Sequence, residues 1–216
     1  MNQKTAIAKI KKKGCLLVFP IDNKQEPDSL WHEFYPRAKM KWEWDTDGDE
    51  RVSDLWWLMK KLSSSGQVVY SKWYQGRATF FSKDLFTALL ALSHAYSEDH
   101  SRLSRYARDL LDTLESDSPL STKQLKKITG LQGKDNERFY NRGMKELFLH
   151  FQIVAFGEVD DGAFPSLAVG STKNLFEDLV LASHKLKIHD AEKIVRKYWP
   201  DGKNPFRKFL EKNRPH

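Results

Sequence analysis

The stretch from Ser101 to Thr172 constrains the fold most, because four local signals follow one another there in a fixed order. From about Arg102 to Leu114, Leu103, Ala107, Leu110, Leu111 and Leu114 fall on one stripe, with Arg105, Arg108, Asp109 and Asp112 opposite. That spacing predicts an amphipathic helix, which Asp117-Ser118-Pro119 ends. Ser121 with Gln124 three residues later forms a capping box, in which each side chain satisfies a free backbone donor of the first turn. A second, short helix therefore starts near Thr122, buries Leu125 and Ile128, and presents Lys123, Lys126 and Lys127. It stops at Gly130, where glycine tolerates the left-handed backbone that closes a helix. A third helix begins after Asn136, with Tyr140, Met144, Leu147 and Phe151 inward and Arg138, Asn141, Arg142 and Lys145 outward. Gln152 to Glu158 and Ser166 to Val169 then read as strands around the turn signal Asp161-Gly162.

Three helices and a hairpin are the plan of a winged helix-turn-helix, a nucleic-acid-binding layout. The outward face of the third helix suits that role, because Arg and Asn make paired hydrogen bonds to base edges and Arg clamps phosphates. The acids Glu158, Asp160 and Asp161 argue against this hairpin's tip gripping a phosphate backbone. Winged helices also bind protein partners through the same helix, so a protein-interaction or transcription-regulatory module is the alternative of another class.

The N-terminal half repeats the layout. A short amphipathic helix ends at Gly14, and Cys15 to Phe19 reads as a strand stopped by Pro20. Trp31, Phe34, Tyr35, Trp42 and Trp44 follow, interleaved with Arg37, Lys39 and Lys41; packing into a core is favoured over stacking on bases. An acidic turn around Gly48 caps a helix from about Arg51 to Leu62 that buries Val52, Leu55, Trp56, Met59 and Leu62. Val68 to Tyr74 and Ala78 to Phe81 form a hairpin around Gln75-Gly76, decorated by Lys72, Arg77 and Lys83, which suit phosphate contact better than the acidic second hairpin. Leu85 to Tyr96 is an apolar helix between the halves, and Ser97 to Ser101 the linker. Downstream, Asn174 to Leu186 is a helix with Leu175, Leu179, Ala182 and Leu186 inward, and Asp190 caps another that ends before Pro200-Asp201-Gly202.

The expectation is an α+β chain, mostly helical, of tandem winged helix-turn-helix modules with β-hairpin wings. Residues 1–97 form an N-terminal module with the aromatic-rich segment, 101–172 the central module, and 173–216 a basic helical C-terminal segment. No repeat of solenoid length is visible.

Charge is segregated. Of the net +7, Met1 to Lys13 holds five bases and no acid, Leu120 to Glu146 seven bases against three acids, and Lys185 to His216 ten against four, which leaves the remainder acidic. Such clustering is the footprint of a polyanion partner, since each neutralised phosphate releases condensed counterions. The single Cys15 excludes an intrachain disulfide and a cysteine metal site, and fits a reducing cytoplasm. The apolar run after the N-terminal lysines is too short for a signal peptide or a membrane span. No metal or cofactor is expected. Asp45, Asp47, Asp49 and Glu50 open like a calcium loop, but its twelfth position is Trp56. The seven histidines lack paired ligand spacing, and no phosphate-binding glycine loop occurs.

Several strings, taken with the order of elements, resemble the AlkZ and YcaQ group of winged-helix DNA glycosylases and the shorter AlkZ-related proteins. They are Gly14-Cys15-Leu16-Leu17-Val18-Phe19, Leu30-Trp31, the segment from Lys72 to Phe81, and Pro119-Leu120-Ser121. The resemblance implies tandem modules around a basic channel for duplex DNA, and metal-free hydrolysis of the bond joining the sugar to an alkylated base. In those glycosylases the strand after the glycine carries Gln, an apolar residue, then Gln or Asp, to position and polarise water. Matching the glycine to Gly14 puts Leu17 and Phe19 at those places, and no Gln-x-Gln or Gln-x-Asp occurs elsewhere. The implied function is duplex-DNA binding without the usual catalytic pair, with an active glycosylase of DNA repair as the alternative. Lys123, Lys126, Lys127, Arg138, Asn141, Arg142, Lys145, Lys72, Arg77 and Lys83 are the expected DNA contacts.

Overall fold

The computed structural model describes residues 1–42, 48–96, 103–159, 166–200 and 202–213, apart from the side chains of residues 94–96. Trp44, the acids Asp45, Asp47, Asp160 and Asp161, the turn at Gly162, the linker Ser97 to Ser101 and the side chain of His94 lie outside the described residues. The chain is mixed α and β, predominantly helical, with one antiparallel sheet.

In the first half α1 (Gln3–Lys13) leads to β1 (Cys15–Leu17), α2 (Leu30–Phe34), α3 (Glu50–Ser63), β2 (Val69–Ser71) and β3 (Thr79–Phe81). After α4 (Lys83–Tyr96) the same succession returns as α5 (Arg105–Ser116), β4 (Leu120–Ser121), α6 (Thr122–Ile128), α7 (Lys134–Leu149), β5 (Ile153–Val159) and β6 (Ser166–Ser171). Four helices close the chain: α8 (Thr172–Leu175), α9 (Glu177–Lys185), α10 (Ile188–Tyr198) and α11 (Pro205–Lys212).

The sheet order is β1-β3-β2-β5-β6-β4, a palindrome of two three-stranded units in which the first strand of each pairs with the third. The units meet where Tyr70 of β2 pairs with Ala155 of β5. The repeat also shows in sequence just after the third strand of each, where Ser82-Lys83-Asp84-Leu85-Phe86 recurs as Thr172-Lys173-Asn174-Leu175-Phe176.

Alternate residues of a strand point to opposite faces, and here they divide between separate cores. Leu17, Val69, Phe81 and Val154 face the layer of α4, α9, α10 and α11. Their neighbours Leu16, Tyr70, Phe80 and Ala155 face α1, α2 and α3. Ile153 and Val169 pack beneath α5, α6 and α7.

Several local expectations are corrected. Trp56 is 48% exposed; the buried stripe of α3 is centred on Leu55, Leu58 and Leu62, and Trp56 lies about 100° round the helix from Leu55. Ile128 is 57% exposed because α6 packs only through Leu125. Helix α7 starts at Lys134 after the cap Gly133, with Asp135 and Glu137 in the first turn, where carboxylates complement the helix dipole. The expected single helix from Asn174 to Leu186 is broken at Phe176, whose buried ring meets Phe156 at 6.4 Å, and Ala182 faces outward. Lys187, not Asp190, precedes α10; Asp190 lies in its first turn and pairs with Lys193 at 3.3 Å. In the aromatic-rich segment Trp31 is fully buried, Phe34 and Tyr35 are half-buried, and Trp42 is 37% exposed.

Candidate nucleic-acid interface

Helix α7 is held by its apolar stripe. Tyr140, Met144, Leu147 and Phe148 pack against Ala107, Leu110 and Leu111 of α5 and against Leu125. That burial sets the helix rotation and leaves Arg138, Asn141, Arg142 and Lys145 exposed on the opposite side. Arg138 lies over the Phe139 ring at 4.5 Å, and Phe139 stacks on Tyr106 at 4.6 Å. On α6, held at its start by the reciprocal Ser121 and Gln124 bonds, Lys123 and Lys127 are exposed. Lys126 is turned inward, 4.6 Å above the Tyr140 ring and 3.4 Å from Glu137.

The hairpin residues separate. Arg77 is exposed beyond the Gln75-Gly76 turn, whereas Lys83 pairs with Asp178 at 3.4 Å and lies 5.7 Å over the Phe176 ring. Lys83 therefore ties α4 to α9. Lys72 is half-buried and faces α7 across a cleft of about 990 Å³.

The cleft is walled chiefly by the β2–β3 connection from Lys72 to Gly76, the α7 flank with Asn141 and Lys145, and α11, and Glu26, Thr122, Leu167 and Lys203 complete its described lining. Its aromatic lining comprises Trp73, Tyr74, Tyr140, Phe148 and Phe209. Among the described residues its charged lining is Lys72, Lys145, Lys203, Lys208 and Lys212 against the acid Glu26. Of the ten expected contacts, the structure thus gathers Lys72, Asn141 and Lys145 at one place, and leaves Arg138, Arg142 and Lys127 on the adjoining exposed surface.

Trp73 anchors the walls to one another. Its ring stacks on Trp199 at 6.2 Å and on Phe151 at 5.6 Å, and meets the edges of Phe81 at 5.6 Å and Phe209 at 4.9 Å. Tyr74 meets Phe206 at 5.0 Å and Phe209 at 4.9 Å. Asn204 caps α11 by accepting from the backbone N–H groups of Phe206 and Arg207, with Pro205 as its first residue.

Burial pushes the Lys72 ammonium below the usual lysine range, and no carboxylate pairs with it among the described residues. Lys145, Lys208 and Lys212 likewise have no carboxylate within ion-pair distance there. The Tyr140 hydroxyl is buried without a hydrogen-bond partner among the described residues, and burial raises its pKa.

The α11 lysines were missed as site residues, because a basic C-terminus is equally consistent with a solvated tail. The usable signal was Asn204-Pro205, a cap followed by the residue favoured at the first helical position, with Phe206 and Leu210 one turn apart.

At the other end of the sheet, Leu17 is fully buried in β1 and the half-buried Phe19 meets Trp42 at 5.4 Å. Cys15 is a buried free thiol whose pKa burial raises well above the usual range. Among the described residues, no three or more His, Cys, Asp or Glu converge as a metal ion would require, and no helix is long and apolar enough to cross a membrane.

A family model described as AlkZ related matches residues 1–207. No curated protein and no solved structure matches the chain.

Proposed function

The chain belongs to the AlkZ-related family, which relates it to the AlkZ-type DNA glycosylases, and from this premise we propose that it is a duplex-DNA-binding protein of tandem winged helix-turn-helix modules without the usual catalytic pair. Residues 1–97 and 101–172 are the two modules, and α7 is the helix that reads the duplex. The observation that carries this reading is the exposed quartet Arg138, Asn141, Arg142 and Lys145, held on one face of α7 in the second of two helix-strand-helix-helix-hairpin units. Leu17 and Phe19, which stand where the glycosylases place their water-holding pair, offer no group that accepts a proton, and Leu17 is sealed in the core.

The test is binding to duplex DNA across a salt series, with release of free base from alkylated duplex assayed in the same samples. Binding should fall steeply with salt. Replacing Arg138 and Arg142 together with Ala should weaken it and lower the slope of log affinity against log salt by about 2, roughly 1 per lost phosphate contact. No free base should appear. Affinity unchanged by the double substitution would overturn the assignment of α7, and base release would restore an enzyme.

A further inference from the structure

We propose that the cleft between the β2–β3 connection, α7 and α11 binds an unpaired nucleotide, its base against Phe209 and Asn141 and its phosphate among the lysines. The proposal rests on the DNA-binding reading for the strand that delivers the nucleotide. The cleft's own chemistry is a separate argument.

Size comes first. About 990 Å³ lies at the upper end of the roughly 300–1,000 Å³ that encloses a small ligand, so the space suits one or two nucleotides and not a duplex. Helix α11 turns the Asn141 and Lys145 flank of α7 into one wall of a slot, whereas Arg138 and Arg142 stay on the open side. One helix therefore presents two different surfaces: an open one that suits a groove, and a walled one that suits a single strand.

Charge comes second. Among the described lining residues five lysines stand against one glutamate, so the space attracts an anion. Lys72 is partly stripped of water and has no carboxylate to compensate it among the described residues; a phosphate would supply that compensation. Lys208 and Lys212 are one turn apart on the cleft side of α11, a spacing that follows a backbone and does not converge on a point.

Shape comes third. Trp73, Tyr74, Tyr140 and Phe148 are each 5% exposed or less, so the half-buried Phe209 is the ring that the described lining offers a base, together with Asn141, whose carboxamide can both donate to and accept from a base edge. Stacking on aromatic side chains with cationic tracking of the backbone is the general mode of single-strand binding, and it tolerates any base.

The experiment uses the full chain and three probes: labelled tetrathymidylate, free thymidine monophosphate, and a duplex. Lys208→Glu with Lys212→Glu tests the cleft through exposed positions that do not contribute to the core, and Arg138→Ala with Arg142→Ala is the control. Tetrathymidylate should bind the wild type and lose about tenfold or more with the α11 pair, while the α7 pair changes it less than about twofold. Thermal melting should be unchanged in the α11 pair. Binding of free thymidine monophosphate that is sensitive to the same pair would also support the site, and would assign it to free nucleotides. No binding of either small probe, tetrathymidylate binding indifferent to Lys208 and Lys212, or equal competition by a short polyglutamate would overturn the proposal. A wild-type chain that binds tetrathymidylate but not the duplex would count against the duplex reading alone.

Discussion

Tyr140 carries both an inward stripe position and an outward consequence. Its ring packs α7 onto its neighbours and supports the Lys126 ammonium, while its hydroxyl is buried and unpartnered among the described residues. An orphan buried hydroxyl costs roughly 1–3 kcal/mol relative to a paired one. Tyr140→Phe keeps the ring, so urea unfolding should show unchanged stability or a gain of about 1 kcal/mol. A loss of that size would mean that the hydroxyl is hydrogen-bonded in solution. Gly143, one turn from Phe139 on the same helix, packs against α5. A Cβ there would lie 2.8 Å from Leu110 Cδ1 and 3.3 Å from the Ala107 backbone nitrogen. Gly143→Ala gains about 1 kcal/mol of helix propensity, but overpacking of about 1–3 kcal/mol should outweigh it and lower the urea midpoint.

The elements depend on their ends. Asp49 caps α3, accepting from the Arg51 backbone N–H at 3.1 Å and from its guanidinium at 2.7 and 2.6 Å. Those guanidinium bonds hold the carboxyl below its usual range. Because the folded pKa is the lower one, the stabilisation is complete above the ordinary carboxylate pKa and is lost as pH falls through the depressed value. Asp49→Ala should therefore cost about 1 kcal/mol at neutral pH, and the cost should shrink below about pH 4. A cost independent of pH in unfolding curves would remove Arg51 from the account. Helix α11 depends instead on its aromatic side. Phe206 is 2% exposed against Tyr74 and Trp199, so Phe206→Ala should destabilise by about 3–5 kcal/mol and remove a wall of the cleft. A cost below about 1 kcal/mol would mean that α11 is not docked in solution.

At the scale of the whole molecule, the sheet binds the two repeats into one structure. Phe151 and Val154 of the second repeat share a core with Leu17 and Phe81 of the first, and Ala155 enters the core beneath α3. Tryptophan fluorescence, whose buried reporters among the described residues are Trp31, Trp73 and Trp199, should therefore follow the same denaturation curve as far-UV circular dichroism. Separated transitions would show that the halves unfold independently. The palindromic sheet also sends both repeats' following segments to one side, where Lys83 meets Asp178 and the layer that carries α11 is assembled.

Local patterns were legible wherever the cause is local. The capping box at Ser121, the Tyr140, Met144 and Leu147 positions of the α7 stripe and both hairpins follow from side chains a few residues apart, and the sequence by itself determined those elements and the basic face of α7. Phe151, expected on that stripe, lies instead past the helix end at Leu149, in the core under α4. The sequence determined less where burial has competing solutions, so the Trp56 and Ile128 positions and the break at Phe176 depend on neighbours brought from elsewhere. The cleft lay beyond its reach altogether. Lys72, Lys145 and Lys208 meet only because β2 pairs with β5 and because the Trp73 ring gathers Phe151, Trp199 and Phe209. Strand pairing and ring stacking of that kind join residues far apart in the chain, and periodicity, which reports only on near neighbours, carries no record of them.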